Sequence, residues 1–263
     1  MKVSGCYACP KYDTCQEGMP HGKRSRVFNR YAREFGEQAL IDRLRANYEN
    51  GITYHTPDRT PGDYDKLETE EEIYQLLRYG RNDPYAKCPE FDTEHFHLRL
   101  VSMEDAEDLF HVYNNAAARA LMNDDNCSYG YGEVDRLDYM RHNIGLWLEA
   151  YRDRGFVRWS IVDKRQNAAI GTIEMFGGKR GILRIDLHSD YEQTAQIDEI
   201  LDCILPDFFT LFNCPLIATK AISAAIERIA SLKKHGFVLS DQPFVGGNGT
   251  RYGDYWILER KNP

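Results

Sequence analysis

The chain has 263 residues, 28% of them charged, with a formal net charge of -8, enough for one full-sized domain plus an appendage at ~100–200 residues per domain. The acidic balance excludes the Lys/Arg-dense footprint that displaces counterions from nucleic acid. The longest apolar stretch, residues 200–212, is broken by Asp202, Pro206 and Asp207, far short of the ~20 apolar residues that span a bilayer.

Met1-Lys2-Val3-Ser4-Gly5-Cys6 holds no apolar h-region, so the expected location is cytoplasmic and no membrane partner is expected. Seven cysteines are an odd number in a reducing compartment, which argues against a complete disulfide framework. Three of them stand as Cys6-x2-Cys9-x5-Cys15. Thiolates at that spacing can converge on one ion, with His21 or Cys88 completing a zinc site; an iron–sulfur centre fits the same spacing, and free thiols are the alternative. Lys23, Arg24 and Arg26 form a small basic cluster, read as a solvated helix entry in preference to a phosphate contact.

From residue 27 to 50, Phe28, Tyr31, Phe35, Leu40, Leu44 and Tyr48 recur at helical spacing and Asn50-Gly51 supplies a stop, which predicts one amphipathic helix. Pro57, Pro61 and Gly62 mark a connector. Thr69 and Glu72 then form a capping box for a helix ending near Gly80. These residues, 1–93, are expected to make a small helical region containing the cysteines, with the boundary near Phe91.

Beyond it the pattern alternates strands and helices, the mark of a sheet covered by helices. Phe96, Leu98 and Leu100 alternate with polar neighbours as a strand, and Ser102 with Asp105 caps a helix to about Ala120. Val134, Met140, Ile144, Leu148 and Tyr151 define another helix. Residues 156–162 and 169–176 read as a hairpin, and residues 182–188 as a third strand, all adjacent and antiparallel. A helix with Ile197, Ile200, Leu201, Ile204, Phe208 and Leu211 on one face follows, then a strand at 216–221, a short helix stopping at Gly236 and a last strand at 255–258. The run from Gly246 to Gly249 is a turn-forming loop. The fold class is α/β (α+β): a mixed, mostly antiparallel sheet flanked by helices over residues 94–263.

Three segments sharpen this order. Trp159-Ser160-Ile161-Val162-Asp163 running to Ile170-Gly171-Thr172-Ile173, Leu187-His188-Ser189-Asp190-Tyr191, and Ser231-Leu232-Lys233-Lys234-His235-Gly236-Phe237 fall in sequence at fitting separations. Together they resemble the GNAT superfamily of N-acetyltransferases, in particular the type acting on ribosomal-protein N-termini. The resemblance implies acetyl-CoA in a V-shaped opening between the fourth and fifth strands, its pantetheine paired along residues 182–188. It implies a pyrophosphate held by backbone N–H groups where the next helix begins. The residues this assigns to the cofactor are Leu187, His188, Gln193, Thr194, Ala195, Gln196 and Ile197, with the N–H of Leu187 or His188 polarising the thioester.

Several positions depart from the family pattern. Glu192 stands where a cation or amide is usual, Ile197 where bulk is absent, Ala225 where many members carry Asn, and Leu232 where many carry an acidic Tyr. A carboxylate at Glu192 facing the pyrophosphate costs ~4 kcal/mol at ~4 Å and an effective dielectric of ~20, which predicts acetyl-CoA binding weaker than ~100 μM. Acetyl transfer needs a base for the ammonium proton and a polarised carbonyl. Asp186 and His188 share one face of their strand and are the expected proton relay, with Glu174 reaching the same cleft; a solvated polar sheet face is the alternative. Tyr129, Tyr131 and Glu133 fall where relatives build the acceptor wall, with aromatic packing the preferred reading. The expected activity is acyl transfer from acyl-CoA to the amine of a small molecule or peptide; the competing reading is a non-catalytic binding or sensing module of the same fold.

Overall fold

The computed structural model describes residues 5–14, 22–54, 60–125, 134–177, 180–246 and 249–260. The chain divides into two compact units, Met1–Asp83 and Pro84–Pro263. The division lies upstream of the boundary expected near Phe91, because Phe91–Asp92 forms a short strand, β1, that pairs with the next strand, Phe91 opposite Leu98. Trp159 Nε1 also donates to Pro89 O at 2.7 Å.

In the first unit, α1 (Lys23–Phe35), α2 (Glu37–Glu49) and α3 (Glu70–Tyr79) enclose Val27, Phe28, Tyr31, Ile52, Tyr64, Ile73 and Leu77. The single helix expected over residues 27–50 is two helices. Gly36, at φ +102, breaks it in a conformation that L side chains rarely adopt, although the apolar spacing runs on through the break. The Thr69–Glu72 capping box is present, with Glu72 N donating to Thr69 Oγ1 at 3.1 Å. At the other end of α3, Asn47 Nδ2 and Arg43 Nε of α2 donate to Leu77 O at 3.0 and 2.8 Å, satisfying a carbonyl that the helix leaves open. Arg24 and Arg26 are met by Asp65 and Glu70 at 2.5 and 2.6 Å.

The second unit carries an eight-stranded sheet in the order β1-β2-β3-β4-β5-β6-β10-β7. Its long strands are β2 (Phe96–Leu100), β3 (Val157–Asp163), β4 (Ala168–Phe176), β5 (Gly181–Leu187), β6 (Leu216–Lys220) and β10 (Tyr255–Glu259), with β7 (Val238–Leu239) at one edge. β3, β4 and β5 are adjacent and antiparallel, as the period-two runs predict, and only β5 and β6 run parallel. β8 (Phe244–Val245) and β9 (Arg251–Tyr252) make a separate hairpin. The helices are α4 (Ala106–Tyr113), α5 (Ala116–Arg119), α6 (Leu137–Arg152), α7 (Thr194–Leu211) and α8 (Ile226–Lys234). The helix expected to reach Ala120 is therefore α4 plus α5, interrupted where Asn115 caps α5.

One sheet face presents Leu98, Trp159, Ile161, Ile173 and Leu183, all buried; Phe208 and Phe212 at the end of α7 pack on Trp159. Ile197, Ile200, Leu201, Ile204 and Phe208 of α7 are fully buried, each contributing about 2 kcal/mol. The opposite face, under α4 and α6, alternates in the other phase and is polar. Among the described residues no helix is long and apolar enough to cross a membrane.

Asp105 ties the polar face together near β2. Arg99 grips it bidentately at 3.0 and 2.6 Å, Ser102 N donates at 2.8 Å as part of the capping box that starts α4, and Ser160 Oγ of β3 donates at 2.7 Å. Burial works to raise its pKa, but Arg99, Ser160 and the Ser102 N–H outweigh it and hold the carboxyl below its usual range. A depressed folded-state pKa contributes stability above the unfolded value of ~4 and loses it as pH falls through the folded value. Replacing Asp105 with Asn should destabilise the unit by about 2 kcal/mol at pH 7. The gap between variant and parent should close below pH ~4 in urea melts; an unchanged gap in acid would show that charge is not the source.

Candidate active site

Cross-strand register decides what the polar face contains. Arg158 of β3 stands opposite Glu174 of β4, which stands opposite Arg184 of β5; two residues along, Ser160, Thr172 and Asp186 line up in the same way. Arg158, Glu174 and Asp186 are no more than 2% exposed. Arg158 pairs with Glu174 and reaches Asp186 at 3.4 Å, Arg184 meets the other Glu174 oxygen at 3.0 Å, and the Arg158 guanidinium lies 4.1 Å from the centre of the Trp147 ring. Tyr113 of α4 donates to Asp186 Oδ2 at 2.8 Å and accepts from Arg158 Nη1 at 2.8 Å. Burial and the Asp186 charge push the Tyr113 hydroxyl well above its ordinary range, so it stays a donor. The network ends at Arg184 Nη2, which donates to Asp125 O at 2.7 Å, and at Lys220 of β6, which pairs with Asp125 at 2.7 Å.

This network takes up two of the residues expected in a proton relay. Asp186 and Glu174 face arginines and a tyrosine, not His188, and are neither solvated nor open to a substrate. Buried carboxylates need partners with this geometry, since an unpaired buried ion costs several kcal/mol. His188 lies just past β5, its side chain 27% exposed. Its ring meets Asn115 Nδ2 at Nε2 (3.0 Å), with Asp190 N and the Asp190 carboxylate near Nδ1 at 3.3 and 3.7 Å.

β5 also has an open side. The His188 N–H donates to Ile170 O at 2.9 Å, so it is spent on β4 and cannot polarise a thioester. In an antiparallel ladder alternate residues bond the same neighbour, which turns the N–H and C=O groups of Ile185 and Leu187 the other way, toward β6. β6 pairs with β5 only at Gly181–Ile217 and Ile182–Ala218. Beyond that point the two parallel strands are not paired, and the outward groups of Ile185 and Leu187 lie along the unpaired stretch. Gly171 lets β4 sit tightly there: a Cβ at this residue would lie 2.2 Å from Asp186 O.

The segment after β5 reads differently from the sequence expectation. Glu192 does not face outward. Its two oxygens accept from Arg228 Nε and Nη2 of α8 at 2.7 and 2.6 Å, with both side chains buried, so its charge is neutralised within the protein. Gln193 is the N-cap of α7, and Thr194, Ala195 and Gln196 form its first turn, while Ile197 turns into the core. Glu227 of α8 seats its carboxylate on that turn, accepting from Thr194 N at 3.1 Å and from Thr194 Oγ1 at 2.5 Å. These two bonds hold the Glu227 carboxyl below its usual range. Leu232 and Ala225 are buried.

Of the proposed metal ligands, Cys6 is exposed and Cys9 half-buried beside a short 3-10 turn, while Cys15 and His21 lie outside the described residues, as do Cys127, Tyr129, Tyr131 and Glu133. Among the described residues no group of three His, Cys, Asp or Glu side chains is arranged to hold an ion. Cys88, read as an alternative ligand, has its thiol pushed up to about 12 by burial and Glu90, which disfavours the thiolate a metal needs. A polar cleft of about 460 Å³ opens elsewhere, over β2 and β3, between Asp92, His97, Arg99, Glu104, Asp108 and Lys164. Lys164 and His97 there already meet Asp92, at 2.8 and 3.2 Å.

Arg158, Tyr113, Asn115, Arg228 and Glu227 were not picked out from the sequence. Arg228 had a signal: it shares a helix face with Ser231 and Leu232, which marks a cation turned inward. No protein-family model matches the chain, and no curated protein does. Solved structures do. A protein from Vibrio cholerae described as a ribosomal-protein-serine acetyltransferase superposes with a TM-score of 0.51 at 11% identity, covering 65% of this chain and 98% of the other. The fold is that of the GNAT acetyltransferases. The ribosomal L7/L12 α-N-protein acetyltransferase RimL in complex with coenzyme A gives the same TM-score of 0.51 at 11% identity, over 65% of this chain and 98% of RimL. The microcin C7 self-immunity acetyltransferase MccE, in complex with acetyl-CoA and AMP, gives 0.50 at 13% identity, over 64% of this chain and 93% of MccE.

Since Glu192 and Arg228 are a buried pair, Arg228→Met should cost about 3–5 kcal/mol by stranding a carboxylate. Glu192→Arg should destabilise comparably by setting two cations together. The double change Glu192→Met with Arg228→Leu should recover most of the loss in guanidinium melts; additive losses would show that the two do not act as a pair.

Proposed function

We propose that residues 84–263 bind an acyl-CoA and transfer its acyl group to the amine of a small molecule or peptide. The observation that carries this reading is the unpaired stretch of β5, where Ile185 and Leu187 turn backbone donors outward next to His188. Bound there, the cofactor supplies an activated acyl group. Ile185 and Leu187 would hold the pantetheine, the Leu187 N–H would polarise the carbonyl, and the first-turn backbone of Gln193, Thr194, Ala195 and Gln196 would meet the phosphates. Ile197 serves only as core. His188 is the group placed to accept the amine's proton, because Asp186 and Glu174 are buried and hold Arg158 and Arg184 in place. The net charge and the pairing of the basic cluster on α1 favour no nucleic-acid partner, and a cytoplasmic location fits the reading.

A second reading, a non-catalytic binding or sensing module, is favoured by Glu227. Its carboxylate already occupies the turn where a phosphate would sit. Calorimetry with acetyl-CoA separates the two. With Glu192 neutralised by Arg228, the carboxylate that competes at the turn is Glu227, and Glu227→Gln should bind acetyl-CoA roughly tenfold more tightly than the unaltered chain by removing that anion. Release of free CoA thiol with a panel of amines then tests transfer. Absence of acetyl-CoA binding by both proteins would overturn the enzyme reading.

We further propose that Cys6, Cys9 and Cys15, with His21, hold zinc or an iron–sulfur centre. Anaerobically purified protein should contain near-stoichiometric zinc or iron, with a visible absorption band in the second case. Metal-free protein whose stability is unchanged by Cys9→Ser would leave only free thiols.

A further inference from the structure

Asn115 sits where α4 ends and α5 begins, and its side chain has two fixed duties. Its Oδ1 accepts the Ala118 N–H at 2.9 Å, capping α5. An amide nitrogen cannot take that role, because it has no lone pair to offer an N–H. The Ala118 bond therefore fixes which end of the amide is oxygen, and the other end, Nδ2, points at His188 Nε2 at 3.0 Å.

That orientation has a chemical consequence for the imidazole. Nδ2 is a donor only, so His188 Nε2 must be the acceptor, and an acceptor nitrogen carries its lone pair and no proton. A neutral imidazole has one proton, which is then on Nδ1. The groups facing Nδ1 are the Asp190 carboxylate at 3.7 Å and the Asp190 N–H at 3.3 Å. The Asp190 N–H donates to Nδ1 as the cap of the 3-10 turn that follows and opposes a proton there, while the carboxylate favours one; of the two donors to this ring the Asp190 N–H is the more distant. Asn115 makes the shorter contact.

We propose that Asn115 is the positioning residue of this site: it orients the His188 ring and holds it as the Nδ1–H tautomer, keeping the lone pair on Nε2. The proposal rests on the reading of His188 as proton acceptor, for which that tautomer is the competent one. An arriving ammonium would take the place of the Asn115 N–H at that lone pair, give its proton to Nε2 and keep the N–H bonding pair for attack. The Nδ1–H would then face the Asp190 carboxylate, which offsets part of the charge gained.

The tautomer is read directly from ring ¹⁵N shifts in the ¹⁵N-labelled full chain at a pH where the ring is neutral, with the His188 signals assigned by their loss in His188→Gln. The unaltered chain should show a protonated Nδ1 and a bare Nε2. Asn115→Asp keeps an oxygen for the Ala118 N–H but turns a carboxylate oxygen toward Nε2, and should move the proton to Nε2. Asn115→Ser keeps a helix cap without the donor and should give a mixture of tautomers. An Nε2–H ring in the unaltered chain, or a ring unchanged in folded Asn115→Asp, overturns the proposal. The unaltered chain alone decides if the variant fails to fold. Where CoA release is measurable, Asn115→Asp should lower kcat about tenfold or more, as expected for a proton-transfer group, and leave KM for acetyl-CoA within about twofold. The ring shifts need no cofactor, so they decide the role of Asn115 even if the acyl-transfer reading fails.

Discussion

Arg158 is a cation buried in the middle of a sheet, and much of the second unit is arranged to keep it paired. An uncompensated charge in that position would cost several kcal/mol, comparable with the net stability of a domain. Glu174 and Asp186 supply the countercharge, Arg184 balances the second carboxylate, and Thr172 and Tyr113 accept from Arg158 Nη1. Three strands contribute, so the pairing exists in one register only. A one-residue slip of β4 would carry Glu174 to the apolar face and strand both arginines. The same constraint fixes the helices above: α4 must bring Tyr113 to Asp186 and α6 must bring Trp147 over Arg158.

This limits which groups of β5 remain accessible. β5 is occupied on one side by its ladder with β4 and on its polar face by the ion network. What it has left is the backbone of Ile185 and Leu187 on the side toward β6. The carboxylates closest in sequence to that stretch are the ones least able to use it, because taking a proton from an amine would break the pairs that make Arg158 tolerable. His188, the first residue beyond the strand, stands where the chain leaves the core and its ring gains access to solvent.

Strands and helices were legible because burial imposes a period on the sequence. β3, β4 and β5 alternate cleanly, and α7 carries one apolar stripe. Gly36 escaped notice because the apolar positions on either side of it remain in helical phase, while the backbone, not the side-chain pattern, decides the break. The site was harder for a different reason. A strand that alternates polar and apolar residues is the pattern of a sheet with one wet face, and nothing along Gly181–Leu187 says that α4 and α6 cover the polar side. Partners such as Glu174 and Arg184 are cross-strand neighbours ten residues apart in sequence, and Glu192 and Arg228 are 36 residues apart. Charge at Glu192 was visible; its neutralisation was not.

The start of α7 shows how two adjacent residues can divide a structural duty from a replaceable one. On α8, Arg228 turns inward to Glu192 and is 1% exposed, so this pair fastens α8 against the entry to α7. Glu227, one residue earlier and about 100° around the helix, turns outward to Thr194. Its bonds are exposed and compete with water, so losing them costs little, whereas the inner pair cannot be opened without burying a bare charge. A phosphate group brings more charge and more acceptor oxygens to the same first-turn donors than one carboxylate does. It could displace Glu227 while Arg228 keeps α8 where it is. Glu192, which departs from the family pattern, is then the residue that fastens the entry to α7, and the carboxylate on the first-turn donors belongs to the exposed Glu227.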